Sequence, residues 1–305
     1  MATWYAIEKQ LVPIQDHESL PQGAPVASVM ATKEFFGFVA PEYHDTVLSL
    51  VKVENTYLDA FPHCLIGSFA VPDKQDLLAD PICFAFYLDK NHLFFLDDGT
   101  TCAGILGQIA SFSAISDQTT AFCLFEFMRL LIKGDQSFLA RMEDEMELVE
   151  EKIMGQKEQS ANQVILNYRR RILKLDTYYQ QLNDMASDLL ENEDDQFTGT
   201  DLRYFAEIRQ NTDRLVDRVH MLQEYSMQLR ELYNTQLNLQ QNNIMQFFTV
   251  VATLGTPLML IAGWFGMNFS FIPGADSPYG FFGCMAASAV IFLLELLFLK
   301  RKGWL

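Results

Sequence analysis

The side chains of this chain that could do chemistry are mainly oxygen donors. Between positions 143 and 151 stand Glu143, Asp144, Glu145, Glu147, Glu150 and Glu151. Carboxylates at that density can contact hard cations, which take oxygen ligands; their commoner meaning is a solvated helix face. Glu295 is a different case, because it stands inside an otherwise apolar segment, where an acid is by default a functional candidate. Lys300 and Arg301 follow closely, so snorkelling and an ion pair of Glu295 with one of them at the membrane interface are expected. Other chemistries are excluded. Cys64, Cys83, Cys102, Cys123 and Cys284 form no CxxC pair and the histidines no HExxH, so neither a zinc finger nor a disulfide framework is present. Gly99, Gly104 and Gly107 precede no GK[ST], and no nucleophile–base pair is visible, so an enzyme is not expected.

The segments that must position these groups fall into two solvents. No charged residue occurs between Glu231 and Asp276, and within that gap Ile244–Phe265 is almost unbroken apolar sequence. As a helix it would be about 33 Å long, enough for a hydrocarbon core of about 30 Å. A second uncharged run, Ser277–Leu294, continues through Glu295 to Leu299 and meets Lys300, Arg301 and Lys302. The positive-inside rule puts that basic tail in the cytoplasm. Two spans return the chain to its starting side, so the N-terminal region is expected there too, in a cell (inner) membrane protein. Residues 1–10 show neither a basic start nor a continuous apolar core, so no signal peptide is read there. The formal net charge of −17 argues against nucleic acid as a partner.

Six segments follow. Residues 1–120 read as a cytoplasmic α/β domain, with strands at Cys64–Val71, Ile82–Leu88 and His92–Leu96, a hairpin turn at Asp89-Lys90-Asn91 and a short helix over 42–54. Residues 121–198 read as an antiparallel helical arm. Residues 199–265 read as one helix, capped at Thr198–Asp201, that continues into the first span. An external loop (266–278), a second span (279–299) and a basic tail (300–305) complete the chain. The long helix carries an apolar stripe through Leu202, Phe205, Ile208, Leu215, Val219, Leu222, Leu229, Leu232 and Leu237 that a lone helix cannot bury, so packing against copies of itself is expected, with Thr212 and Ser226 on an incompletely dry axis.

Gly266-Met267-Asn268 stands at the outer end of the first span, after Thr256-Pro257 and Ile261-Ala262-Gly263, and the second span ends in Lys300-Arg301-Lys302-Gly303-Trp304-Leu305. In these features the sequence resembles the CorA family of magnesium transporters, whose signature is a Gly-Met-Asn after the first of two C-terminal spans. The resemblance implies an α+β cytoplasmic domain with a long helical arm and stalk helix, two transmembrane helices and a homopentameric funnel in the lipid bilayer. It implies Gly266, Met267 and Asn268 as the selectivity motif. It also implies that Asn242, Met245, Phe248, Ala252, Thr256, Met259 and Gly263 line the pore, with Met245 and Phe248 as a hydrophobic constriction. Magnesium keeps its water shell, and a ring of asparagine oxygens would hold the hydrated ion without stripping it. Tyr204-Phe205-Ala206-Glu207 is similar to the family's Tyr-Phe-Arg-Asp, which makes Glu207 the position linked to cytoplasmic ion sensing.

The sequence also departs from the family. Thr256 and Met259 are exchanged relative to the commoner pattern, and Pro273-Gly274-Ala275-Asp276 replaces a proline–glutamate pair in the loop. The function implied is passive uptake of Mg2+, both transported and regulatory, with Zn2+ or other divalent cations and a ZntB-like, proton-linked transport as the alternative. A membrane-anchored coiled-coil scaffold is the reading from a different class.

Overall fold

The structure is a computed structural model that describes residues 2–14, 23–50, 53–112, 117–155, 161–192, 195–267, 277 and 279–304. It divides into two units, residues 1–230 and 231–305.

The first unit is built on a seven-stranded sheet in the order β2-β1-β3-β7-β6-β5-β4. The strands are β1 (Thr3–Ile7), β2 (Leu11–Ile14), β3 (Val26–Met30), β4 (Tyr57–Phe61), β5 (Cys64–Val71), β6 (Ile82–Leu88) and β7 (His92–Leu96). Only β3 and β7 pair in parallel; the other neighbours are antiparallel. The three strands and the hairpin read from the sequence form as expected. Asp89 closes that hairpin by accepting from the backbone N–H of Asn91 (2.8 Å) and His92 (2.7 Å). Burial alone would raise the Asp89 carboxyl, but the His92 ring and these N–H donors outweigh it and hold the group below the usual carboxylate range.

All eight residues of β5 are buried, which is why its sequence, CLIGSFAV, is nearly continuous rather than alternating. On one face of the sheet, α1 (Thr32–Phe35) and α2 (His44–Leu50) share a core with Trp4, Tyr87 and Phe94. A 3-10 turn at Pro41–Tyr43 opens the segment expected as helix over 42–54, and α2 ends at Leu50. On the other face α4 (Thr120–Leu131) inserts Phe127, stacked on Phe95 at 4.1 Å and in contact with Phe69 and Phe84. At Gly67 a side chain would collide with the Phe86 ring and the Tyr57 carbonyl, so only glycine fits. The helix α3 (Thr101–Phe112) lies between β7 and α4 in sequence.

The segment 121–198 therefore begins with a helix that covers the sheet. Gly134, at φ +82°, ends that run, and α5 (Asp135–Met154) and α6 (Ala161–Glu191) follow. Asp135, fully buried, accepts from Lys74 and from the Tyr179 hydroxyl (2.9 Å), tying the sheet domain to both helices. Burial pushes its carboxyl up, against the pull of Lys74 and Tyr179.

The helix α7 runs from Gly199 to Phe265 without interruption. Its stripe corrects the expectation of self-packing over the first unit. Phe205, Ile208, Leu215, Val219, Leu222 and Leu229 are buried within the chain, whereas Leu202 and Leu232 are half-buried and Leu237 is exposed. Contacts with α5 and α6 flank them: Arg218 with Glu143, Tyr225 with Glu150 (2.5 Å), Asn183 with Asp213, and His220 with Asp176 (3.3 Å). Thr212 is buried as well, and its hydroxyl bonds the Ile208 and Arg209 carbonyls of its own helix, so it marks no wet axis. Ser226 is buried too.

The second unit holds the rest of α7 and α8 (Gly280–Arg301), both long and apolar enough to cross a membrane. Pro257 lies inside α7 and lacks an N–H, so the Thr253 carbonyl loses its usual helical donor. One turn away the Thr256 hydroxyl bonds the Ala252 carbonyl at 2.7 Å.

Phe127 has no exposed surface and touches three rings of the sheet. Phe127→Ala should therefore cost about 3–5 kcal/mol, read as a lowered unfolding transition of the detergent-solubilised full chain. Val12→Ala, at the exposed β2 edge, should leave the transition in place.

Candidate ion pathway

A helix repeats at about 100° per residue, which sorts the second unit's α7 segment into faces. Gln246, Val250, Thr253, Leu254, Pro257 and Ile261 are covered, Val250 to 7% exposure. On α8 Cys284, Ser288, Ile291, Glu295 and Leu299 are covered, again at spacings of three and four, with Gly280, Phe292 and Leu296 beside them. The unit has no other helix or strand among its described residues, so these two faces turn toward each other. Gln246 Nε2 donates to the Trp304 carbonyl at 3.2 Å and joins them. Asn242, Met245, Phe248, Ala252, Thr256, Met259 and Gly263 are all exposed, Phe248 to 64% and Met259 to 75%. At about 100° per residue their mean direction lies roughly 135° from that of the covered residues. They form one surface, turned away from α8.

That surface has an ordered chemistry. It begins with an amide (Asn242), becomes apolar at Met245 and Phe248, narrows to Ala252, then offers the Thr256 hydroxyl, the Met259 thioether and the bare backbone of Gly263. Thr256 donates its proton to Ala252, which leaves its oxygen lone pairs free to accept from a hydrated cation. Thr249, seven residues from both Asn242 and Thr256, shares the exposed surface and back-bonds Met245 in the same way (2.8 Å). Motif matching passed it over; its i±7 spacing is the signal that would have found it. No charged side chain occurs on α7 beyond Glu231.

At the end of α7 the Gly266 N–H still bonds Ala262 (3.0 Å), and Met267 bonds Trp264 at 3.4 Å, so the helix closes where the motif begins. Asn268 and the loop residues 269–276 lie outside the described residues. Glu207 is exposed on the first unit's part of α7, with no hydrogen bond or ion pair to another described residue. The acids of α5 are partly spent on the chain's own groups: Glu143 on Arg218, Glu145 on Tyr168 (3.1 Å) and Arg171 (3.6 Å), and Glu150 on Tyr225. Burial and then Glu150 raise the Tyr225 hydroxyl above its ordinary range, so it stays a donor.

The expected pairing of Glu295 with Lys300 or Arg301 does not form. Lys300 and Arg301 are five and six residues on, whereas only i+3 and i+4 share a helix face, and those positions are Phe298 and Leu299. Among the described residues no ion pair joins Glu295 to either cation, and its Oε2 is buried without a hydrogen-bond partner.

Comparison with known proteins agrees with this architecture. A family model of CorA-like Mg2+ transporter proteins matches residues 59–301. The cobalt/magnesium transport protein CorA of Thermotoga maritima is 24% identical over 184 residues, 60% of this chain and 52% of that protein. The chain thus spans about half the length of that relative. The complete structure of the CorA magnesium transporter from Methanocaldococcus jannaschii superposes with a TM-score of 0.83 at 19% identity, over 100% of this chain and 99% of that one. The ZntB cytoplasmic domain from Vibrio parahaemolyticus gives 0.56 at 8% identity, over 78% of this chain and 98% of that one. At such identities the two structures show a shared fold.

If the exposed surface of α7 meets water, single cysteines at Met245, Ala252 and Thr256 should react with a membrane-impermeant thiol reagent in a background lacking the native cysteines. Val250→Cys, facing α8, should stay protected. Equal labelling at all four positions would remove the assignment of faces.

Proposed function

The chain belongs to the CorA family, and from that premise we propose that it carries divalent cations, Mg2+ first among them, through a pathway lined by α7. One observation carries the reading: α7 presents an uncharged, oxygen-bearing surface on the side away from α8, and that surface runs up to Gly266 and Met267. Two helices cannot enclose a channel, so the pathway needs several copies around an axis, and the family resemblance makes the number five. A ring of Asn268 oxygens at the outer mouth would hold the ion with its water shell, and Met245 and Phe248 would shut the inner end by dewetting. With both termini in the cytoplasm, a membrane potential of 100 mV favours entry by about 4.6 kcal/mol per divalent ion. Asn268→Ala should abolish Mg2+ uptake by proteoliposomes while leaving the folded protein intact. Unchanged uptake would take Asn268 out of the pathway, and no uptake by the native chain would favour a scaffold. Zn2+ added against Mg2+ in the same assay tests the ZntB-like alternative.

Regulation follows from charge. Glu207 is an exposed acid without a partner among the described residues, on a strongly acidic chain, where like charges on neighbouring copies repel. Cytoplasmic Mg2+ bound between copies would offset that repulsion and keep the pathway shut, and depletion would release it. Glu207→Ala should shift the internal Mg2+ concentration at which uptake stops. An identical inhibition curve would take Glu207 out of the mechanism.

A further inference from the structure

In the first unit a cavity of 320 Å³ lies between the end of β5, the loop that leads to β6 and the middle of α6. That volume suits a small molecule. Most of the polar side chains in its wall are spent on the chain itself. Gln181 accepts from the Thr56 N–H (2.9 Å) and donates to the Asn55 side chain (3.1 Å). Lys174 donates to the Leu78 and Ala79 carbonyls (3.1 and 2.8 Å), and Thr177 to the Leu173 carbonyl (3.1 Å). Three groups of the wall are left over. Tyr178 is only 3% exposed, and its hydroxyl is buried without a hydrogen-bond partner among the described residues. Glu54 and Asp80 are exposed and form no hydrogen bond or ion pair with another described residue.

Buried polar oxygens are nearly always paired, so the Tyr178 hydroxyl needs an explanation. Burial, and then the Asp135 carboxylate, push that hydroxyl up from its ordinary range, so it keeps its proton and is a donor in want of an acceptor. The two free acids stand close to one sulfur: after burial, first Glu54 and then Asp80 raise the Cys83 thiol. Set against the Lys174 ammonium, they leave the wall with a negative charge in excess. Pro72, Pro81 and Leu173 make the rest of it apolar. An anion would face both carboxylates. A metal ion would lack ligands, since the described residues bring together no three His, Cys, Asp or Glu that could hold one. Hydrated magnesium would also set its water shell against prolines. An organic ammonium balances the charge, and its methylenes match the apolar wall.

We propose that this cavity binds a small organic ammonium ion that carries an oxygen at its far end, an amino alcohol by class. The ammonium sits between Glu54 and Asp80, the stem lies along Pro72 and Pro81, and the terminal oxygen accepts from Tyr178. An occupant of this kind joins the sheet to α6. The whole site belongs to the first unit, so it is independent of the proposed cation pathway.

The test titrates the detergent-solubilised full chain by calorimetry with 3-amino-1-propanol, 4-amino-1-butanol and 5-amino-1-pentanol, beside the alkylamines of matching length and MgCl2. At least one amino alcohol should saturate, and bind about tenfold more tightly than its alkylamine, the worth of one hydrogen bond. Tyr178→Phe removes the hydroxyl and keeps the ring. It should erase that tenfold difference and leave the unfolding transition where it was, because an unpartnered oxygen supports nothing. Glu54→Gln combined with Asp80→Asn should weaken amino alcohol and alkylamine alike. Absence of saturable binding by every amine, or displacement of the amines by MgCl2 at equal concentration, overturns the site. Amine affinities unchanged in the Glu54→Gln, Asp80→Asn chain overturn it as well. A lowered unfolding transition in Tyr178→Phe would mean that the hydroxyl already has a partner in the fold, and overturns its part in binding.

Discussion

Hydrocarbon offers no water to a backbone amide or a charge, and the second unit of this protein is shaped by that fact. Every peptide group from Ile244 to Phe265 must be satisfied within its own helix or by a side chain, so the segment stays helical even through Pro257. Thr249 and Thr256 turn their hydroxyls back onto the Met245 and Ala252 carbonyls, one turn below, which satisfies each hydroxyl proton within the helix. Charge is absent from the whole α7 span, and the one acid allowed in α8 is placed against the partner helix rather than outward. The exposed surface of α7 proposed as the ion path is thus made of neutral oxygens, a thioether and apolar groups. Weak, neutral ligands suit passage, because a carboxylate lining would bind too firmly to release.

The soluble unit answers a different constraint. Its long helices are acidic, and the carboxylates have to be matched or left in water. Arg218, Tyr225, Tyr168 and Arg171 meet Glu143, Glu150 and Glu145, which pins α5 and α6 to each other and to α7 by side-chain ties around a buried apolar seam. Surface ties of this kind contribute little stability singly. Their role is to fix register, while Phe205, Ile208, Leu215, Val219 and Leu222 supply the burial. The consequence for the assembly is direct: this part of α7 does not need a second copy to cover its stripe, and what it presents outward is Glu207 and its polar neighbours.

At the root of α7 the chain is tied in by polar contacts. Thr198 and Asp201 cap one another, the Thr119 hydroxyl, itself the cap of α4, bonds Asp201 at 3.2 Å, and Tyr204 meets Asp117. Through Phe127 and these bonds, α4 joins the sheet to the first turn of α7.

What the sequence determined on its own was whatever depends on local period and on solvent. The two spans, the length of α7, the β6–β7 hairpin and the common face of Asn242, Met245, Phe248, Ala252, Thr256, Met259 and Gly263 all follow from spacing along one strand or helix. Tertiary structure decided what depends on which surfaces meet. It put α4 on the sheet rather than in an arm, and covered the α7 stripe with α5 and α6 rather than with copies of α7. It also turned Glu295 into the seam with α8's cations on other faces. Periodicity shows that a face is apolar or that an acid is near a base in the chain. It carries no information on which distant segment covers that face, because that choice is made by packing between residues far apart in sequence.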